Sequence, residues 1–560
     1  MMENRSRNYA GTFNSEVIKW RQIAAKIWSI VFIFFFILCH SVTANLDLLN
    51  NFSGILTGFF GNLFYLYFWS YSSIILIIFW IMFMFNDNLF RVSHKVYSNN
   101  FEKLLQIVYS MNMVCILANF ISTLFISSML LQFYESKEHL SLWYITSFCA
   151  FSNLVYKLKF TFNGKYLLNW PIIEQPKYCR FKSKVYKTAL NTVKSVFYNL
   201  ILWNIFYFGS GLVGTFFGLT EESQSLFSTW IVCLKLSFLI NFSHAFSWDL
   251  YEIYMTEIYH FNVQPIDASD LPLATAMSLN SHPYIQTLSL IDFADLSIYS
   301  KARRNQIFSL NFSNQPVNWN KISNEALNVI KDFMEVFSFD DMLHGSDKQN
   351  RQMDEVVYKR TGVLSPMRDL ASPLKSPIRK AHLNETYVIP AKSPMKLTKS
   401  LDQHVNSFGF KFTQSLIEKL KKQKYFAMIY KENVNYKTQQ LFVDSFLVIN
   451  ALKGLSNMTM ASLTEDEYGI VQQNLSDIIN TFVNLQKVVE KFNKTSPSGS
   501  VSFRILQKLH PDQIDLYIQK LTFVLNESIY KITHTFGSSL RSLSLDQDVM
   551  RRLQKYQLKQ

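Results

Sequence analysis

Four serines are the clearest places for chemistry in this chain. Ser365, Ser372, Ser376 and Ser393 each precede a proline, with Arg368, Lys375, Arg379 and Lys396 two positions beyond it, so all four read S-P-x-[K/R]. That is the target pattern of the cyclin-dependent kinases, and the chemistry it offers is phosphate acceptance. One such match arises readily by chance, and four between Ser365 and Lys396 do not. A basic, proline-rich spacer with incidental serines is the plainer reading. Lys359–Ser400 carries nine Lys/Arg against Asp369 and Glu385, a net of +7. Each phosphate adds about −1.5 to −2 charges, so four would bring this tract close to neutrality.

The rest of the reactive inventory argues against catalysis. There is no G-x-S-x-G, no H-E-x-x-H, no phosphate-binding Walker loop and no D-x-D-x-D-G run. The eleven histidines form no i, i+4 pair, and the five cysteines (Cys39, Cys115, Cys149, Cys179, Cys233) show no C-x-x-C spacing. They read as small apolar residues, not as a disulfide framework or a zinc site. No catalytic residue, cofactor or metal is expected. Within the apolar stretches only His40, Lys235 and His244 can ionise, and no carboxylate lies inside a stretch to pair with Lys235. Ion and substrate paths are marked by such groups, so a coupled carrier is disfavoured.

These residues sit on a framework of six apolar stretches: 27–44, 63–85, 104–133, 140–156, 196–219 and 226–248. At a rise of about 1.5 Å per residue, each reaches across a hydrocarbon core of roughly 30 Å, the fourth only just. With no water to bond their amides there, such runs must be helical. Lys+Arg counts in the flanking segments run five, zero, three, one, nine and zero from Met1–Lys26 to Thr220–Ser225. The positive-inside rule then places the amino terminus, the second and fourth loops and everything after Trp248 in the cytosol. The fold expected is all-α. A cytosolic arm (1–26) precedes a six-span bundle (27–248) and a helical segment (249–344). A disordered basic linker (345–403) then leads to a carboxyl-terminal helical domain (404–560). The first stretch follows 26 residues and is long for a cleaved leader, so it reads as a retained anchor despite Val42-Thr43-Ala44. Asn51-Phe52-Ser53 is a luminal glycosylation sequon, and Asn311-Phe312-Ser313 is a cytosolic one expected to stay bare. The net charge of +14 suits nucleic acid or an anionic membrane. Because the bases cluster beside the stretches and in the linker, the membrane is preferred and no direct nucleic-acid contact is expected.

Lys177–Tyr198 gathers Tyr178, Phe181, Val185, Tyr186, Ala189, Val193 and Val196 near one helical face, with Arg180, Lys182, Lys184, Lys187 and Lys194 over the remainder. Two readings fit: a basic amphipathic helix in the headgroup plane, binding anionic lipid, or a juxtamembrane extension of the fifth stretch. Gly214-x-x-x-Gly218 allows close helix packing. In the tail, three- and four-residue apolar spacing predicts helices over Leu273–Tyr299, Asn324–Phe339, Phe410–Tyr430, Thr438–Lys453, Glu465–Phe492 and Leu516–Phe536, with a loop at Asn493–Ser502.

Several strings in the tail go beyond composition. His282-Pro283-Tyr284-Ile285-Gln286 with Asp292, then Arg303-Arg304-Asn305-Gln306-Ile307-Phe308, then Asn318-Trp319, resemble the nuclear-division-cycle family of transmembrane nucleoporins. Ala461–Gln472 and Ile529–Gly537 are similar to that family's animal members. Six amino-terminal spans before a long helical tail also fit the family arrangement. The resemblance implies a nuclear-envelope protein that holds the nuclear pore complex in the pore membrane and supports its assembly. It also implies partners: an Aladin-type WD-repeat nucleoporin, a membrane-binding inner-ring nucleoporin and other pore-membrane proteins. No catalytic residue comes with it. A multipass transporter or channel is the alternative, and a membrane-bound lipid-modifying enzyme ranks third.

Disassembly of pores at mitosis would give the four serines a purpose. Phosphate mapping on protein from mitotic cells should find Ser365, Ser372, Ser376 and Ser393 modified, and replacing all four by alanine should delay release of the tail's partners. Unmodified serines, or release on schedule, would reduce the tract to a spacer.

Overall fold

The computed structural model describes residues 13–44, 65–87, 99–108, 111–134, 142–171, 175–216, 226–265, 270–311, 314–337, 440–495 and 513–557, with a few isolated positions besides. The Ser-Pro tract, the helix expected over Phe410–Tyr430, the Asn51 sequon and the Asn493–Ser502 loop from residue 496 onward lie outside these. Two compact units divide the chain. One comprises 1–97, 102–334 and 435–560, and the other 98–101 with 335–434. Everything below concerns the first.

Every regular element among the described residues is helical. Six long helices open the chain: α1 (Lys19–Ala44), α2 (Leu66–Asp87), α3 (Met111–Leu131), α4 (Leu142–Phe162), α5 (Lys177–Phe216) and α6 (Leu226–Met255). Their directions alternate. Phe34 of α1 stacks on Trp69 of α2, and Lys26 pairs with Asp87 at the other end. Along α5 and α6, Lys177 meets Glu257, Lys184 meets Glu252 and Thr188 meets Asp249, numbers rising on one helix as they fall on the other. Helices α4 and α6 run parallel, Asn153 facing Asn241 and Phe160 facing Trp248.

Four of the six, Glu16–Ala44 through α1, Leu66–Asp87, Asn112–Leu131 and Ser228–Met255, are long and apolar enough to cross a membrane. Helix α4, diluted by Ser147, Ser152, Asn153, Lys157 and Lys159, falls short of that mark. The helices bury aromatic and aliphatic side chains between them, among them Ile33, Ile37, Phe68, Phe79, Phe148 and Leu236. They also expose apolar rows at helical spacing: Ile27, Val31 and Phe35 on α1; Ile74, Ile77, Ile81 and Met84 on α2; Val114, Leu117, Ile121 and Phe125 on α3. Contiguous patches of that extent are rare on soluble proteins. Hydrocarbon accepts them without cost.

The polar content of the bundle's interior exceeds what hydropathy suggests. Asn241 of α6 donates to Ser152 Oγ of α4 at 2.9 Å and to Ser237 Oγ at 3.3 Å, and accepts from Asn153 at 3.2 Å. Asn199 of α5 donates to the same Ser152 hydroxyl at 3.1 Å. All five residues are buried. The network stitches α4, α5 and α6 together and satisfies most of the amide groups it buries.

Helix boundaries depart from hydropathy wherever backbone pairing continues past the apolar run. The third stretch divides into Asn100–Val108 and α3. The fifth is the second half of α5, and the sixth runs on to Met255. In the tail, Pro283 at the first turn starts α7 (Pro283–Tyr299) and separates it from the short Leu273–Met277. After the extended Ser300 comes α8 (Lys301–Phe308), too polar for apolar spacing to reveal. Helices α9 (residues 317–337), α10 (Ser445–Glu465), α11 (Ile470–Thr495), α12 (Gln513–Phe536) and α13 (Gln547–Gln557) complete the described tail. The last, whose buried Val549 and Leu553 lie one turn apart, is held to α11 by Arg552–Glu490 and Gln486–Tyr556 and to α12 by Tyr556–Asn526.

Helices α7 and α10 cross where Gly454 meets the buried ring of Phe293. A Cβ on Gly454 would lie 2.2 Å from Phe293 Cδ1. In an unpacked helix, Gly→Ala gains about 1 kcal/mol. Here the clash reverses the sign, and Gly454→Ala should destabilise by about 1–3 kcal/mol. Chemical denaturation of the full chain in detergent, followed by tryptophan fluorescence, reads the change. A stabilised variant would contradict this crossing.

Candidate functional site

Helix α6 ends at Met255, and the carbonyls at its end and just beyond it need donors. The chain's own first helix supplies those beyond the end. Arg21 Nη1 donates to Glu257 O at 2.7 Å and Nη2 to Ile258 O at 3.3 Å, while Nη1 also reaches Tyr284 Oη at 3.3 Å. Tyr284, from the first turn of α7, donates to Met255 O at 2.7 Å. Gln22 donates to Tyr251 Oη at 3.1 Å, and Phe90 packs edge-on against both Tyr251 and Tyr284. Arginine's fork suits this task, because one planar group can serve several acceptors. The start of α1, the end of α6 and the start of α7 thus form one joint between apolar helices and tail.

A second knot lies directly behind it. Asp292 of α7 is fully buried, and its carboxylate is satisfied on all sides. Arg303 of α8 donates to Oδ1 at 2.7 Å and Oδ2 at 2.6 Å, and the amide of Phe261 donates to Oδ2 at 3.0 Å. His260 Nδ1 stands 3.0 Å from Oδ1. That hydrogen bond, reinforced by the carboxylate's charge, raises the imidazole above its ordinary value of 6.5 despite partial desolvation. The neighbouring Arg304 makes a fork with Glu465 of α10 at 2.7 and 2.8 Å. Its hydrogen bonds hold the Glu465 carboxyl below the usual carboxylate range. Two consecutive arginines therefore fasten different halves of the tail.

The strings singled out in the sequence fall on these joints. Gln286 donates to Met277 O and Asn280 Oδ1, closing the turn before α7. Asn318 donates to Gln306 O, and the buried Trp319 ring lies 6.1 Å from Phe308. In Ala461–Gln472, Asp466 accepts from the Val471 amide at 2.9 Å and Gly469 takes φ +65°, so the segment turns α10 into α11. These strings are structural pins that bring distant segments together.

The residues expected to bind lipid are divided by the structure. Arg180 and Lys184 face α6, donating to Thr256 Oγ1 at 2.6 Å and pairing with Glu252 at 2.7 Å. Lys182, Lys187 and Lys194 are exposed, beside exposed Tyr178, Tyr186 and Val193. Helical backbone continues without a break from Lys177 to Phe216, so this segment and the fifth stretch are one helix. Gly214 lies in α5, and Gly218 lies outside the described residues. Lys235 is half-buried with its ammonium 5.6 Å from the centre of the Tyr134 ring, and His40 Nε2 is 3.3 Å from Leu130 O. Among the described residues the five cysteines are free, and no cluster of His, Cys, Asp or Glu could hold a metal ion. Sequence reasoning missed Arg21, which looks like one more base of a basic arm, and the Asn–Ser network, which only three-dimensional neighbours reveal.

The family described as "Nucleoporin protein Ndc1-Nup" matches residues 16–554. The chain is 26% identical to "Nucleoporin NDC1" of Homo sapiens over 500 residues, covering 73% of this chain and 74% of that protein. With "Nucleoporin NDC1" of Xenopus laevis the identity is 24% over 493 residues, covering 73% and 75%. With "Nucleoporin Ndc1" of Drosophila pseudoobscura pseudoobscura it is 21% over 323 residues, covering 52% of each.

Breaking a buried ion pair from one side leaves an uncompensated charge, at a cost of about 3–5 kcal/mol. Arg303→Met should therefore destabilise the tail by about that much, read from denaturation of the full chain in detergent. The His260 share behaves differently. Its raised folded value means that the contribution is fully present below pH 6.5 and is lost as pH rises through the folded value. His260→Gln should flatten stability across that window.

Proposed function

This chain belongs to the Ndc1-Nup family of nucleoporins, and on that premise we propose that it anchors the nuclear pore complex in the pore membrane with six spans and docks soluble nucleoporins on its tail. Membership makes it a structural nucleoporin of the nuclear pore membrane and not an enzyme. The six-span count and the orientation, with both termini on the cytosolic side, rest on the alternating basic flanks and on the alternating directions of α1 to α6. The observation that carries the anchoring reading is the exposed apolar rows of α1, α2 and α3. Their only stable surroundings are lipid tails or other apolar helices, and a neighbouring pore-membrane protein would meet the same surface.

Docking is placed on the tail because the short loops opposite offer little surface. Tyr299, Leu463, Tyr468, Phe523 and Tyr530 are large apolar side chains left exposed there. The partners proposed, an Aladin-type WD-repeat nucleoporin and a membrane-binding inner-ring nucleoporin, follow from the family resemblance. The Ser-Pro tract between α9 and α10 is proposed to loosen those contacts by charge when phosphorylated. Lys182, Lys187 and Lys194 are proposed to meet anionic headgroups, each contributing about 1 kcal/mol near the surface.

A tagged copy should stain the nuclear rim in a punctate pattern. Protease added to sealed microsomes should remove the tail while sparing the segment around Asn51. Diffuse reticular staining would contradict pore residence, and a protected tail would sink the six-span orientation together with the docking argument.

A further inference from the structure

Four helix ends from the same side of the bundle line a small cavity that opens to the surface. Its charges do not cancel. Lys26 of α1 pairs with Asp87 of α2, which leaves the ammonium of Lys157 on α4 as a surplus. Lys157 is only 7% exposed and meets no carboxylate among the described residues, its ammonium standing 5.7 Å from the centre of the Phe160 ring. His244 of α6, 4% exposed, lines the same cavity with both ring nitrogens unpartnered, and so does Asn86 with its buried Oδ1. A buried cation and unmet hydrogen-bonding groups around one space are costly unless something answers them.

We propose that this cavity binds the headgroup of an anionic phospholipid. The phosphate sits against Lys157 and His244, and a hydroxyl or ammonium donor of the headgroup meets Asn86 Oδ1. A lipid fits better than a free phosphate because Lys26, which lines the cavity, holds its ammonium 3.3 Å from the sulfur of Met84, part of the exposed apolar row on α2. Phe83 and Phe160 supply an apolar wall for the first methylenes of the acyl chains. The lysines noted in α5 take no part, so this site is separate from the exposed face of that helix. The inference rests on the membrane-spanning reading only for its lipid.

The test uses the full chain purified in mild detergent with phosphatidylinositol added, bound lipid being counted by native mass spectrometry. One molecule per chain should survive detergent exchange, in preference to phosphatidylcholine. Lys157→Met should weaken retention by about tenfold or more, the factor of one charge-assisted hydrogen bond. Lys157→Arg should keep it, and Lys182→Gln, on the exposed face, should leave it unchanged. Equal retention of phosphatidylcholine, or unaltered retention by a folded Lys157→Met chain, would overturn the proposal. Displacement by millimolar inorganic phosphate would assign the cavity to a free phosphate and overturn the lipid. A chain that integrates into membranes yet retains no lipid refutes the site alone, whereas failure to integrate refutes the anchor.

Discussion

The arrangement depends on how one helix end is satisfied. Where α6 stops, backbone carbonyls emerge at the boundary between an apolar and an aqueous environment, and left unpaired each would carry a penalty comparable to a lost hydrogen bond. Tyr284 meets that demand at Met255, the last residue of α6, and Arg21 meets it at Glu257 and Ile258 just beyond. Because Arg21 lies at the start of α1 and Tyr284 at the start of α7, the solution fixes the first long helix, the last one and the beginning of the tail relative to each other. The Asp292–Arg303 knot then sets the angle between α7 and α8, and Arg304 carries the constraint across to α10. Each pin presupposes the one before it.

The helices offered to the membrane are held by a different logic. Apolar side chains gain little from preferring each other over lipid, so packing and hydrogen bonds must select the neighbours. The shared hydroxyl of Ser152, contacted from Asn241 and Asn199, is one such selector. Interhelical bonds of this kind average only about 0.6 kcal/mol each, so their value lies in register more than in strength. The same network accounts for Ser152 and Asn153 of α4, polar residues buried in the bundle where partners wait.

Much of the fold was legible because one signal, helical periodicity of apolar residues, survives without knowledge of neighbours. A long helix overlaps each of the six apolar stretches, the third being divided, and helices overlap the expected ones among the described tail residues. What escaped is what periodicity does not encode. Helix α8 is polar and held by ion pairs, and the break before α7 depends on Pro283 and on Gln286 closing a turn; α13 is the exception, a short helix whose buried Val549 and Leu553 do stand at helical spacing. The basic residues of α5 could be read as a face, but which of them turn to Glu252, Thr256 and Glu257 depends on a segment about 70–80 positions away. The family strings were recognisable as letters, and their physical meaning, as joints between segments far apart in the chain, required the structure. The serines of the linker lie outside the described residues and keep the standing that the sequence lends them.

Helix α5 contains 40 residues without a break in its helical backbone, so at about 1.5 Å each it extends for roughly 60 Å, about twice the thickness of a hydrocarbon core. Its first half is riveted to the end of α6 by Lys177, Arg180, Lys184 and Thr188. A pair of rods clamped in this way has no hinge at headgroup level. Tilting one of the two therefore tilts the other with it, so the clamped stretch moves as a single lever, and Lys177–Glu257 at its far end travels furthest.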